Sequence, residues 1–199
     1  MTEIEFLFDF GSPNAFLVHR AIPAIEAQGA VRFTYVPVLL GGIFKATGNQ
    51  SPMQTYGHIA VKRAYDRLEM ERFCAAHGIT DFAMNPHFPV NTLAIMRGAV
   101  AAHGLGLFEA YVEAMFVGMW AQGLKLDDPA VIAATLEAAG LPAAELMAEA
   151  QSDFTKQSLA TTTAHAVHRG VFGSPSFFVG EALYFGKDRL RDAVEAAGG

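Results

Sequence analysis

A serine at the first turn of a helix can do chemistry that a serine inside a strand cannot. In Asp9-Phe10-Gly11-Ser12-Pro13-Asn14-Ala15, Ser12 offers an N-cap hydroxyl and Pro13 suits the first helical position. Backbone N–H groups at such a terminus carry roughly half a positive charge, so the helix end can hold an anion. A thiolate brought by a ligand is one such anion. The chain cannot supply its own, because its single cysteine, Cys74, lies far along the sequence and forms neither an internal disulfide nor a dithiol. Direct attack by Ser12 would require a base, and His19, the nearest histidine in sequence, is seven residues into the same helix, about two turns away. The hydroxyl is therefore assigned to thiolate stabilisation, beside the plainer reading of Ser12 as a cap alone.

The elements that must position this serine are legible on either side of it. Ile4-Glu5-Phe6-Leu7-Phe8 is short, β-prone and almost wholly apolar, as a strand covered on both faces should be. Helical spacing runs through Phe16, Leu17, Ala21, Ile22 and Ile25, with a kink expected at Pro23 and a C-cap at Gly29. Val31 to Val38 is a second strand, and strand, helix and strand in this compass predict a parallel βαβ unit. From Ser51 to Arg169 the spacing turns helical and Ala-rich, giving five or six helices: Gln54 to His77, Thr92 to His103, Leu107 to Ala121, Pro129 to Ala139 and Phe154 to Arg169 are candidates. Ser176-Phe177-Phe178-Val179 and Ala182-Leu183-Tyr184-Phe185, joined by Gly180-Glu181, predict a hairpin, followed by a closing helix from Lys187 to Ala197.

A βαβ unit at one end, a ββα unit at the other and helices between them make the thioredoxin plan, an α/β fold with a large all-helical insertion after the second strand. The expected division is a discontinuous thioredoxin-like domain, 1–40 and 170–199, and an inserted helical domain, 41–169. Ser12 then stands where that plan usually carries the first cysteine of Cys-x-x-Cys. The plan also predicts a cis peptide before Pro175 in Gly173-Ser174-Pro175-Ser176, which would leave the backbone of Ser174 open to an extended peptide.

Asp9-Phe10-Gly11-Ser12-Pro13, Gly41-Gly42-Ile43-Phe44-Lys45, Gly48-Asn49-Gln50-Ser51-Pro52, Asn85-Pro86-His87-Phe88-Pro89, Asn91-Thr92, Gly170-Val171-Phe172-Gly173-Ser174-Pro175 and Gly186-Lys187-Asp188-Arg189-Leu190 follow one another through the chain. In this order and spacing they resemble the 2-hydroxychromene-2-carboxylate isomerases, relatives of kappa-class glutathione transferases within the DsbA-like thioredoxin superfamily. The resemblance implies a glutathione-dependent cis–trans isomerase, interconverting 2-hydroxychromene-2-carboxylate and trans-o-hydroxybenzylidenepyruvate or a close analogue. Its setting would be aromatic hydrocarbon catabolism such as naphthalene degradation, and the protein a cytoplasmic homodimer. It implies Ser12 as the catalytic residue and Ser12, Asn49, Lys62, Ser174, Pro175, Lys187 and Asp188 as the glutathione site. Asp188 would take the γ-glutamyl amino group. Lys45, Asn49 and Asn85 are the expected contacts to a small aromatic substrate, Lys45 to its carboxylate. Lys187 departs from the small or neutral polar residue expected there, and Gln50 is closer to the kappa transferase pattern. Two alternatives stay open: a kappa-like transferase or peroxidase, and a non-catalytic thioredoxin-like binding module.

Composition sets the outer bounds. With 199 residues, 52% of them hydrophobic, the chain can bury a sizeable core. A net charge of -6 with scattered Lys and Arg argues against nucleic acid. The acidic start Met1-Thr2-Glu3-Ile4-Glu5 does not read as a signal peptide, and the apolar runs are too short for a membrane span. His77, His87, His103, His165 and His168 form no metal-binding pattern, so no metal is expected. Phe108, Tyr111, Met115, Phe116, Met119 and Trp120 recur at helical spacing and read as core or dimer interface.

Overall fold

Four strands form one mixed sheet in the order β2-β1-β3-β4, in a computed structural model that describes residues 2–198. β1 (Thr2–Phe8) runs parallel to β2 (Val31–Pro37), with Phe6 beside Tyr35 and Phe8 beside Pro37. β3 (Ser176–Val179) pairs antiparallel with β1 and with β4 (Ala182–Phe185), closing the expected hairpin. The thioredoxin-like plan with its long helical run after β2 is thus the fold of the chain.

Alternation along the strands sends side chains to two covered faces. Phe6, Phe8 and Phe177 point to a core shared with α1 (Pro13–Glu26), α5 (Leu93–Gly104) and α6 (Phe108–Trp120). Leu7, Val38 and Phe178 point to a smaller cluster with Ile43 of α2 (Leu40–Thr47) and Ala166 of α9 (Asp153–His168). The rings of the larger core meet in both edge-to-face and stacked pairs, Phe10 and Phe116 edge to face at 4.8 Å between centroids and Phe6 and Phe177 stacked at 5.7 Å. α3 (Pro52–Tyr56), α4 (Ala60–His77), α7 (Pro129–Ala138) and α8 (Ala143–Glu149) complete the helical run. The chain ends in a 3₁₀ turn, Lys187–Arg189, and α10 (Leu190–Ala196).

The differences from expectation are local. The helix expected from Gln54 to His77 is two helices, broken after Tyr56 at Gly57, where a Cβ would fall 2.2 Å from the Met53 carbonyl oxygen. α2 and α8 are helices that the apolar spacing does not predict. α1 ends on Ala27, with Gly29 two residues beyond at φ 81°, so Gly29 turns the chain without capping the helix. Pro23 sits inside α1, which remains one helix. The closing helix begins as a 3₁₀ turn. The Ser174–Pro175 peptide is cis, as expected, and Phe88–Pro89 is a second cis bond that was not.

Candidate functional site

Ser12 is the N-cap of α1, and its side chain faces the turn that precedes β3. Its Oγ accepts the Ala15 N–H at 3.2 Å and donates to the Ser174 carbonyl oxygen at 2.8 Å. Ser174 in turn accepts the Asp9 N–H through its own Oγ at 3.1 Å. Two segments more than 160 residues apart are thereby locked face to face. Ser12 is 4% exposed, and Asn14 Oδ1, one residue after Pro13, is buried without a hydrogen-bond partner.

Beneath this pair lies the carboxyl group of Asp9, whose role in the site the local sequence does not announce. Asp9 follows β1 and is fully buried; Oδ1 accepts the Gly11 N–H at 2.8 Å and Oδ2 accepts the Leu40 N–H at 2.7 Å. Leu40 opens α2, whose N-cap residue Leu39 contributes no side-chain cap, and Asp9, just beyond the neighbouring strand β1, satisfies the first N–H of the helix. Burial pushes the Asp9 carboxyl above its ordinary pKa, against the lowering effect of the Leu40 and Gly11 N–H groups and of Thr92. The sequence signal is an acid directly after an apolar strand, separated from Gly11-Ser12-Pro13 by Phe10 alone.

The other expected residues divide. Asn49, just beyond α2, donates through Nδ2 to the Phe172 carbonyl oxygen at 2.8 Å, which ties the α2–α3 connection to the segment leading into Ser174. Lys45 is exposed on α2 and has no ion-pair partner among the described residues. Lys62 Nζ pairs with Asp66 at 2.9 Å and lies 5.1 Å from the centre of the Tyr56 ring. Lys187 is buried, ion-paired with Asp188 and 5.3 Å from the Phe73 ring centre, in the 3₁₀ turn that packs beside α1. Asn85 is not brought to this group of contacts. Its amide nitrogen donates to the Met119 and Leu124 carbonyl oxygens at 2.8 and 2.9 Å, and Oδ1 accepts the His87 N–H at 2.8 Å. Buried with both amide hydrogens used, it braces the segment before α5. Thr92, by contrast, reaches the turn: its Cγ2 is 3.1 Å from where a Cβ on Gly11 would stand. Among the described residues no cluster of three or more His, Cys, Asp or Glu could hold a metal, and no helix is long and apolar enough to cross a membrane.

Residues 3–197 match the family model of the DSBA-like thioredoxin domain. The chain belongs to that family. Among its DSBA-like relatives, the 2-hydroxychromene-2-carboxylate isomerase of Pseudomonas sp. (strain C18) is 27% identical, over 98% of this chain and 90% of its own length. Glutathione S-transferase kappa 1 of Rattus norvegicus is 24% identical, over 94% of this chain and 87% of its own. A solved 2-hydroxychromene-2-carboxylate isomerase superposes with a TM-score of 0.84 at 23% identity, covering 98% of this chain and 94% of its own, a likeness of fold. A probable DsbA oxidoreductase of Streptomyces coelicolor reaches 0.72 at 18% identity, over 99% of this chain and 88% of its own. The DSBA-like fold therefore carries here a serine turn, and the sequence relatives are named as isomerases and as a kappa transferase.

Proposed function

We propose that the protein is a glutathione-dependent cis–trans isomerase acting on 2-hydroxychromene-2-carboxylate, trans-o-hydroxybenzylidenepyruvate or a close analogue during aromatic-compound degradation. The observation that carries this reading is the mutual hydrogen bond of the Ser12 hydroxyl and the Ser174 carbonyl at the N-terminus of α1. Each group satisfies the other, and a ligand that presents a peptide N–H beside a thiol can replace both at once. Ser174 O then accepts the N–H, and the hydroxyl is released to donate to sulfur. Glutathione has that chemistry in its cysteinyl unit, and when bound it supplies a thiolate that adds reversibly to a conjugated carbon, turning a double bond into a rotatable single bond.

Magnitudes favour the role assigned to Ser12. A thiol of pKa near 8.5 must be lowered by about two units to be mostly thiolate at pH 7, a stabilisation of roughly 2.7 kcal/mol. A hydrogen bond to a charged group contributes about 1.5–3 kcal/mol and a partly buried helix terminus up to about 2. The cap hydroxyl and α1 together are sufficient. Lys45 offers an ammonium to the substrate carboxylate and to the negative charge that develops on a conjugated carbonyl. Asn49 and Lys62 form the polar wall toward the glycyl end. Asp188 would take the γ-glutamyl amino group and the backbone N–H groups of Lys187 and Asp188 its carboxylate, with the Lys187 ammonium held between Asp188 and Phe73. Met53, Tyr56, Val61 and Tyr65, exposed along α3 and α4, support the expected homodimer.

Replacing Ser12 by Ala tests the reading. Titration of bound glutathione by its thiolate ultraviolet absorbance should show the thiol pKa raised by about one to two units, with kcat/KM at pH 7 reduced about 10- to 100-fold. Unchanged turnover removes Ser12 from thiolate stabilisation. Release of a glutathione conjugate in place of isomerised product would make the protein a transferase, the activity for which its kappa relative is named.

A further inference from the structure

The reaction proposed above makes no use of Asp9, although its carboxyl is wholly buried against the Ser12 turn. Three hydrogen bonds fix where it stands. Oδ1 accepts the Gly11 N–H at 2.8 Å, the Asp9 carbonyl accepts the Ser12 N–H at 3.0 Å, and the Asp9 N–H donates to Ser174 Oγ at 3.1 Å. Asp9 therefore touches both halves of the Ser12–Ser174 pair. One residue of chain separates the Gly11 nitrogen from that of Ser12, a step of at most about 3.6 Å. A sulfur hydrogen-bonded to the Ser12 hydroxyl thus lies on the order of 10 Å from the Asp9 carboxyl.

A thiolate at the helix end and a carboxylate at that distance are two negative charges in a site closed to water, since Ser12 and Asp9 are both buried. At an effective permittivity of about 20, like charges about 10 Å apart move each other's pKa by about one unit. No charged side chain among the described residues offsets this at Asp9. β1 carries Glu3 and Glu5, β2 Arg32, α1 His19, Arg20 and Glu26, α2 Lys45, and α5 Arg97 and His103, yet what acts on Asp9 is burial, the Leu40 and Gly11 N–H groups and Thr92. His19 and Arg20 are engaged by Glu113, and Glu5 by Arg169. Burial has already brought the carboxyl part of the way toward protonation, and the Thr92 hydroxyl can change from donor to acceptor when the carboxyl gains its hydrogen. Resting on the glutathione reading above, we infer that Asp9 takes up a proton as the bound thiol loses one, so that the turn holds a single negative charge. The S–H bond breaks with its electron pair left on sulfur, one proton is gained by an Asp9 oxygen, and the exchange reverses when glutathione departs.

Two measurements on the full-length protein at pH 7 test the exchange. The thiolate fraction of bound glutathione is read from its ultraviolet absorbance. The protons released on binding are counted by calorimetry in buffers of different ionisation enthalpy, with S-methylglutathione, which has no thiol proton, as the blank. In wild type the thiolate formed should exceed the protons released by about half a proton per site, and equality overturns the inference. Asp9→Asn keeps the size and removes the charge, so its bound thiol pKa should fall by about one unit, and thiolate and released protons should agree. A purely structural role for Asp9 has the opposite sign, because a loosened helix end raises the thiol pKa; an unchanged or raised value in the folded variant overturns the inference. Should Asp9→Asn fail to fold, the proton count on wild type decides alone. Failure of wild type to bind S-methylglutathione overturns the glutathione reading and this inference with it, whereas a bound thiolate without proton uptake overturns this inference only.

Discussion

Asp9 shows how one side chain can set the geometry of a site that it does not enter. A carboxylate has acceptors only, and Asp9 uses both oxygens on N–H groups, one in the Ser12 turn and one at the start of α2. Asparagine is nearly the same size but would turn its own NH₂ toward one of those donors. An unsatisfied buried N–H costs about 1–3 kcal/mol, so Asp9→Asn should be destabilised by that amount in urea. The pH dependence gives a sharper test. Because burial raises the Asp9 pKa in the folded state above its ordinary 3.8, folding binds the proton more tightly than the unfolded chain does. The stability it contributes is complete below the unfolded pKa and is lost as pH rises through the folded one. The difference in unfolding free energy between wild type and Asp9→Asn should therefore be largest in acid and shrink toward pH 7; a gap that widens with pH would contradict a raised pKa. The sequence exposed Ser12 because capping and strand–helix succession are local signals. It did not expose Asp9's role, since the Leu40 N–H lies 31 residues away.

At the scale of elements, the same distinction between local and distant causes explains which parts of the chain were readable. The strands announced themselves by β-branched and aromatic runs, and the hairpin by Gly180-Glu181. α2 did not, because its first turn holds Gly41-Gly42, its N-cap is the apolar Leu39, and the polar partner of its first N–H is Asp9, distant in sequence. The 3₁₀ start of the last helix and the burial of Lys187 were equally hidden, the latter depending on Phe73 of α4. The glycines of the helical run carry a related lesson. Gly98 lies inside α5, where glycine costs up to about 1 kcal/mol relative to alanine. Its reason is α6: a Cβ at 98 would be 1.9 Å from Tyr111 Oη and 2.6 Å from Cζ. Tyr111 cannot retreat, being 1% exposed with its hydroxyl donating to the Ile95 carbonyl at 2.9 Å. Gly98→Ala should reverse the usual gain from removing a helical glycine and cost about 1–3 kcal/mol through overpacking. A calorimetric midpoint lowered by roughly 2–12 °C is the expected outcome for a chain of this size. A stabilised variant would mean that α5 and α6 can move apart.

Across the whole molecule, the helical run and the sheet unit are joined at several places, and the joints differ in what solvent can do to them. Trp120 Nε1 donates to the Phe10 carbonyl at 2.7 Å inside the core, bracing the strand-to-helix turn from the end of α6. Near the surface, His19 of α1 joins Tyr35 of β2 through Nδ1 at 2.8 Å and Glu113 of α6 through Nε2 at 2.9 Å. Arg20 joins the same Glu113 at 2.9 Å and Asp81 at 2.6 Å. The His19 hydrogen bond, followed by that of Arg20, outweighs burial and pulls the Glu113 carboxyl from 4.5 down to about 2. A folded pKa below the unfolded one gives stability that is present above the unfolded value and disappears as pH falls through the folded value. Glu113 is half-exposed, so solvent screens these pairs and the net contribution at pH 7 is about 1 kcal/mol. Glu113→Gln should be less stable than wild type by about that amount at neutral pH, as read by urea unfolding. The difference should close between pH 4.5 and about 2, as wild-type Glu113 takes up its proton. This acid-side loss runs opposite to the trend at Asp9, so the two substitutions separate a carboxyl held by charged partners from one held by burial. If the Glu113→Gln difference persisted below pH 2, the joint would be a packing contact whose strength owes nothing to charge.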